Sequence, residues 1–137
     1  MYSQDRSNLT SLKKQAAELL ARFEKAQESC RKSKKRFLAT KNEVASLRGK
    51  CEDAKSEMTA EYVNYSRDLE NDFEHARIAY FEAKDILKKA KQRHKILKLE
   101  HRAHQAERDA LETKYKKCQK IIRQIEKRLR YARTKKG

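Results

Sequence analysis

The stretch HKILKLEHRAH, residues 94–104, brings three of the chain's four histidines into eleven residues. Clustered imidazoles are the usual material of a metal site or of a contact that responds to protonation near neutral pH. His101 and His104 are three apart and on a helix would point to one side, but no Cys or carboxylate completes an established ligand spacing around them. Cys30, Cys51 and Cys118 are odd in number and widely spaced, which fits neither a disulfide framework nor a close-spaced zinc motif. A nucleophilic thiol needs a base that holds the thiolate, and the sequence places none beside them. The chain also lacks a Gly-rich phosphate loop, a nucleophile elbow and a fixed carboxylate pair. Neither catalysis nor a metal, cofactor or small-molecule substrate is expected.

What these side chains do depends on the elements that carry them. Charged residues make up 41% of the chain and hydrophobic ones 37%, and 137 residues contain no Pro, no Trp and only two Gly, so means of turning are few. From Leu9 every seventh residue reads Leu9, Ala16, Phe23, Cys30, Phe37, Val44, Cys51, Met58 and Tyr65, with Leu12, Leu19, Ala26, Ser33, Thr40, Leu47 and Ala54 interleaved. This is the a/d heptad pattern of a coiled-coil seam. Around Ala54, Met58, Tyr62, Tyr65, Leu69, Phe73 and Ala76 the spacing becomes 4-4-3-4-4-3, which predicts a local unwinding of the supercoil. The repeat then resumes through Ala76, Ala83, Ala90, Leu97, His104, Leu111, Cys118, Ile125 and Ala132. Its partner series is Phe73, Tyr80, Leu87, His94, His101, Arg108, Tyr115, Ile122 and Leu129. The fold class is all-α, a long-helix coiled coil or elongated helical bundle, with residues 1–137 as one unit.

Ser7 or Asn8 is the expected N-cap, although no acidic residue completes a capping box. The basic end LRYARTKKG suits a helix C-terminus. Gly49 costs about 1 kcal/mol relative to Ala in a helix, yet Leu47 and Cys51 keep phase across it, so the helix is expected to continue. The other candidate hinge is VNYSRDLEND, residues 63–72. A continuous rod from about residue 8 to 133, roughly 190 Å long, is preferred over a hairpin bent at Gly49 or near residues 64–72. The seam mixes Phe and Tyr with Ala, Ser and Thr, which pack best when unlike layers face each other, as in antiparallel or folded-back helices.

On this reading the histidines and cysteines are seam residues: hydrogen-bonded imidazoles that lower local stability and help fix register, and small buried thiols. Beside the seam, Ile96, Leu99, Ala103, Ala106 and Ala110 form a second apolar row. The buried face between about 78 and 110 is therefore wider than one partner helix requires, and a bundle made by chain reversal or another subunit is expected there.

Charge runs in blocks. Residues 1–50 hold 13 Lys/Arg against 5 Asp/Glu, 51–83 hold 3 against 9, and 84–137 hold 20 against 6, within a net charge of +16. Three bursts stand out: Arg31, Lys32, Lys34, Lys35 and Arg36; Lys88, Lys89, Lys91 and Arg93; and Lys127, Arg128, Arg130, Arg133, Lys135 and Lys136. Many charges form helix-supporting pairs, but the bias calls for acidic surroundings, either the chain's own 51–83 block or an external surface. A filament-like acidic protein surface is preferred; an anionic membrane also fits. Nucleic acid fits less well, since the aromatics fall on the seam rather than among the bursts.

The heptad pattern is similar to that of tropomyosin and myosin-rod segments, and the basic helices resemble those of BAR-type membrane-bending domains. Tropomyosin is acidic where this chain is basic, and a BAR-type module has about twice this length of helix per subunit, so the chain is assigned to neither. The expected function is a non-enzymatic scaffold or spacer docking by basic helix faces, with cytoskeletal structure preferred. The alternatives are a membrane-surface module and an adaptor whose apolar row receives a folded partner such as a small GTPase. Self-association or pairing with another helical subunit is expected. No run of about 18 apolar residues and no apolar leader occurs, which points to a soluble, intracellular, cytoplasmic setting.

Overall fold

The computed structural model describes the backbone of residues 2–63 and 70–136 and the side chains of residues 4–63 and 72–134. All of the described backbone is helical: α1 runs Tyr2–Val63 and α2 runs Glu70–Lys136. The start of α1 lies ahead of the Ser7 or Asn8 cap expected from the sequence. Nothing between Tyr2 and Asn8 breaks a helix, and Asp5 in the first turn complements the positive end of the helix dipole. Gly49 lies inside α1 with an ordinary helical backbone, as its unbroken phase suggests.

The contacts fall into two compact units, one made of Met1–Lys32 with Arg102–Gly137 and the other of Ser33–His101. In the second unit Ser33 meets His101 and Thr40 meets His94, and in both pairs the residue numbers add to 134. Rising numbers on α1 meet falling numbers on α2, so the helices are antiparallel. The folded-back arrangement, with α1 ending at Val63 and α2 beginning at Glu70, is thus the one present, and the single uninterrupted rod is not. Residues 64–69 themselves, including the expected seam residues Tyr65 and Leu69, lie outside the described residues.

This reversal also explains the altered spacing near Met58. On α1 the alternation of three and four continues through Ala54, Met58 and Glu61, each half-buried, while Tyr62 is 67% exposed and makes a tilted ring contact with Phe73 at 5.7 Å. The 4-4-3 spacing is the phase offset between two helices that never had to be one, rather than an unwound supercoil.

The register places unlike residues face to face in the second unit: Ala54 opposite Tyr80, Met58 opposite Ala76 and Val44 opposite Ala90. Val44 is 8%, Ala76 9% and Ala90 1% exposed, whereas Phe37, Leu47, Met58, Phe73, Tyr80, Leu87 and Leu97 are half-buried. One facing helix covers a stripe, not a whole side chain, so no large side chain among the described residues is fully buried.

The unit of residues 1–32 and 102–137 is antiparallel in its own right. Cys118 Sγ donates to the Leu12 carbonyl at 3.4 Å, Arg108 Nη1 donates to Cys30 Sγ at 3.5 Å, and Lys13 pairs with Glu126 at 3.5 Å. Ala16, Ala26, Cys30, Cys118 and Ile125 are buried there, and Leu9, Leu12, Leu19, Phe23, Leu111, Tyr115, Ile122 and Leu129 are half-buried.

Candidate functional site

Two of the three histidines of residues 94–104, His94 and His101, take partners from α1. Ser33 Oγ and His101 Nδ1 are 2.8 Å apart, with both residues 8% exposed. Thr40 Oγ1 donates to the Phe37 carbonyl at 2.8 Å, as helix-interior Thr does; with its proton so committed, the hydroxyl accepts from His94 Nδ1–H at 3.0 Å. The Phe37 ring stacks on both imidazoles, with centroids 5.0 Å from His94 and 5.9 Å from His101. Both imidazoles thus have a polar partner and an aromatic face, and no buried side-chain polar atom among the described residues lacks a hydrogen bond. No three His, Cys, Asp or Glu among the described residues converge on a common point. His104 faces a shallow groove also lined by Arg22, Lys25 and Lys114. Cys30, Cys51 and Cys118 form no disulfide among the described residues.

The basic bursts are distributed differently from what their sequence adjacency suggests. Successive helix residues are about 100° apart, so Arg31, Lys32, Lys34, Lys35 and Arg36 encircle α1 instead of sharing a face. Several of these cations are already engaged. Arg31 donates to both carboxylate oxygens of Glu28, at 3.0 and 2.6 Å, and this bond pushes its pKa up. Lys89 pairs with Asp85 at 3.1 Å, Arg93 with Glu43 at 2.8 Å, and Arg130 lies 3.9 Å from Glu126. The bond to Asp109 likewise raises the pKa of Arg108. Lys32, Lys34, Lys35, Arg36, Lys88, Lys91, Lys127, Arg128 and Arg133 are exposed, and the side chains of Lys135 and Lys136 lie outside the described residues.

A different set of cations shares a face. Glu43 and Arg93 each directly precede a seam residue, Val44 and His94, and they meet on one flank of the helix pair. Residues that directly follow a seam position must therefore share the other flank; Lys13 and Glu126 obey the same rule in the other unit. Within residues 33–101 the positions that follow the Ser33–Ala54 series on α1 are Lys34, Lys41, Arg48 and Lys55, and those that follow the Ala76–Leu97 series on α2 are Arg77, Lys84, Lys91 and Lys98. Both rows are exposed along their length and contain no acidic residue. Within a row the charges recur about every 10 Å. Arg77 is paired locally with Glu74 at 3.0 Å, and the Lys84 ammonium lies 5.5 Å from the Tyr80 ring centre. The residues that follow the other seam series lie further out on the same flank: Lys88, Lys95 and the exposed apolar Leu38, 42% exposed, and Phe81, 56% exposed, together with Ala45, Thr59 and the acidic Glu52 and Glu74.

The same unit holds 16 Lys/Arg against 12 Asp/Glu in all, a net of only +4, yet none of its acids falls in the two rows. The opposite flank is mixed, with Glu43, Glu57 and Glu100 among Arg36, Lys50 and Arg93. Only Lys34 and Lys91 of the flank rows belong to the sequence bursts. The others carry a signal that a search for runs misses, a Lys or Arg recurring every seven residues next to the seam.

The second apolar row is uncovered. Ile96 is 57% and Leu99 55% exposed, and Ala103, Ala106 and Ala110 are exposed as well. Ala110 lies at the edge of the groove that holds His104, while the Ile96 and Leu99 side chains are left exposed by the pairing of α1 with α2.

No family model, curated protein or solved structure matches this chain. In each of the two units α1 and α2 pair antiparallel, and no described helix is long and apolar enough to cross a membrane.

Proposed function

We propose that this chain is a non-enzymatic scaffold or spacer that docks onto an acidic surface through the cationic flank of residues 33–101. The observation that carries this reading is the facing of two single-sign rows, Lys34 to Lys55 and Arg77 to Lys98, across one side of the helix pair. Like charges on neighbouring helix positions cost about 0.2–0.5 kcal/mol per pair, so a flank optimised for the hairpin alone would interleave acids, as the opposite flank does with Glu43 and Arg93. An external acidic surface turns that cost into attraction. The seam histidines support the hairpin in this reading and take no part in docking.

The test is a variant with Lys41, Arg48, Lys55, Lys84, Lys91 and Lys98 replaced by Gln, compared with the native chain and with Arg130→Gln/Arg133→Gln. Each is cosedimented with microtubules and with anionic vesicles at about 50 and 200 mM salt. Docking by the flank predicts salt-sensitive binding to at least one surface, lost in the six-residue variant and kept in the C-terminal one, with melting of the six-residue variant unchanged or raised. A lower melting temperature with binding intact would mean that these cations serve the hairpin itself, and would overturn the reading.

A further inference from the structure

We infer that the acidic surface fitted by this flank is an anionic phospholipid bilayer, with Leu38 and Phe81 entering the headgroup region; the inference rests on the docking reading above. Three features of the flank select lipid over folded protein. The first is residue type: six of the eight row positions are Lys, as are the outlying Lys88 and Lys95. Recognition of fixed carboxylates favours the planar Arg fork, and Lys is depleted from protein–protein interfaces, whereas an ammonium on a flexible stem serves any nearby phosphate as a point charge. The second is pattern. Rows of one sign at about 10 Å intervals need a partner whose anions can move to meet them, and mobile lipid headgroups do so where fixed side chains do not.

The third is the placing of two large apolar side chains among these cations. Leu38 is 42% and Phe81 56% exposed, on the same flank as the Lys rows but on different helices, with Phe81 set beside Tyr80 at 5.6 Å between ring centres. Lys and Arg around an exposed Phe and Leu is the composition of an interfacial membrane surface, in which basic residues hold the headgroups and the apolar groups enter the acyl boundary. No described helix can span a bilayer, so the contact is peripheral.

The chain has no Trp, which makes Phe81→Trp a single reporter at an exposed position. The full chain carrying Phe81→Trp is mixed with phosphatidylcholine vesicles containing about 30% phosphatidylserine, with pure phosphatidylcholine vesicles, and with polyglutamate, at about 50 mM salt. Expected are cosedimentation with the phosphatidylserine vesicles alone, a blue shift of Trp emission on those vesicles, and no shift on polyglutamate. The six Gln substitutions of the flank should weaken vesicle binding at least about a hundredfold, and Leu38→Ser should reduce the binding that survives at about 200 mM salt. Vesicle binding without a blue shift, or equal binding to both vesicle types, overturns the lipid inference. Binding to polyglutamate or microtubules that the flank variant abolishes, with no vesicle binding, overturns the lipid inference while leaving the docking reading standing. No binding to any acidic surface overturns both.

Discussion

Replacing Ser33 by Ala removes the partner of His101 Nδ1 without disturbing the helix. The two residues are each 8% exposed and their polar atoms are 2.8 Å apart, so the imidazole nitrogen is left in a seam with little access to water. Leaving a buried polar atom unsatisfied costs about 1–3 kcal/mol, and Ser33→Ala is expected to fall in that range. His101→Leu should also destabilise, through the loss of the hydrogen bond and of the stacking on Phe37 at 5.9 Å, worth about 0.5–1.5 kcal/mol. The double variant Ser33→Ala/His101→Leu builds an apolar layer with nothing unsatisfied, and should return to within about 0.5 kcal/mol of the native chain. The coupling in the cycle is then at least about 1 kcal/mol, fivefold or more in the unfolding equilibrium. Urea unfolding followed by helical circular dichroism on all four proteins measures it. A Ser33→Ala cost below about 0.3 kcal/mol together with an additive cycle would refute the pairing of Ser33 with His101 and the register built on it.

Two further perturbations test the packing. A Cβ at Gly49 meets nothing within 4 Å, and the residue sits inside α1 with a negative φ, so Gly49→Ala should raise stability by about 0.5–1 kcal/mol in the same urea assay; a loss would reveal a bend there. Ala90 is 1% exposed and faces Val44, so Ala90→Leu should destabilise by about 1–3 kcal/mol despite adding apolar surface, and a stabilised variant would show that this layer has room.

The sequence by itself determined that the chain is helical and which stripe of each helix is buried. Both follow from a local rule: a heptad repeat brings Ala16, Ala26, Cys30, Ser33 and Val44 to one side of α1 whatever lies opposite, and all five are buried. The histidines were legible as seam residues for the same reason. Only the tertiary structure decided what they face. That Ser33 meets His101 and Thr40 meets His94 depends on where the chain turns back, and moving the reversal by a few residues would change every pair. A continuous rod and a hairpin share the same seam pattern, because periodicity records burial and not the identity of the partner helix. The candidate flank lies at the same boundary. The recurrence of Lys34, Lys41, Arg48 and Lys55, and that of Arg77, Lys84, Lys91 and Lys98, is written in the sequence, but a row on one helix is only half a surface. Antiparallel pairing sets the two rows on a common flank, because positions that follow the seam on one helix face positions that follow it on the other.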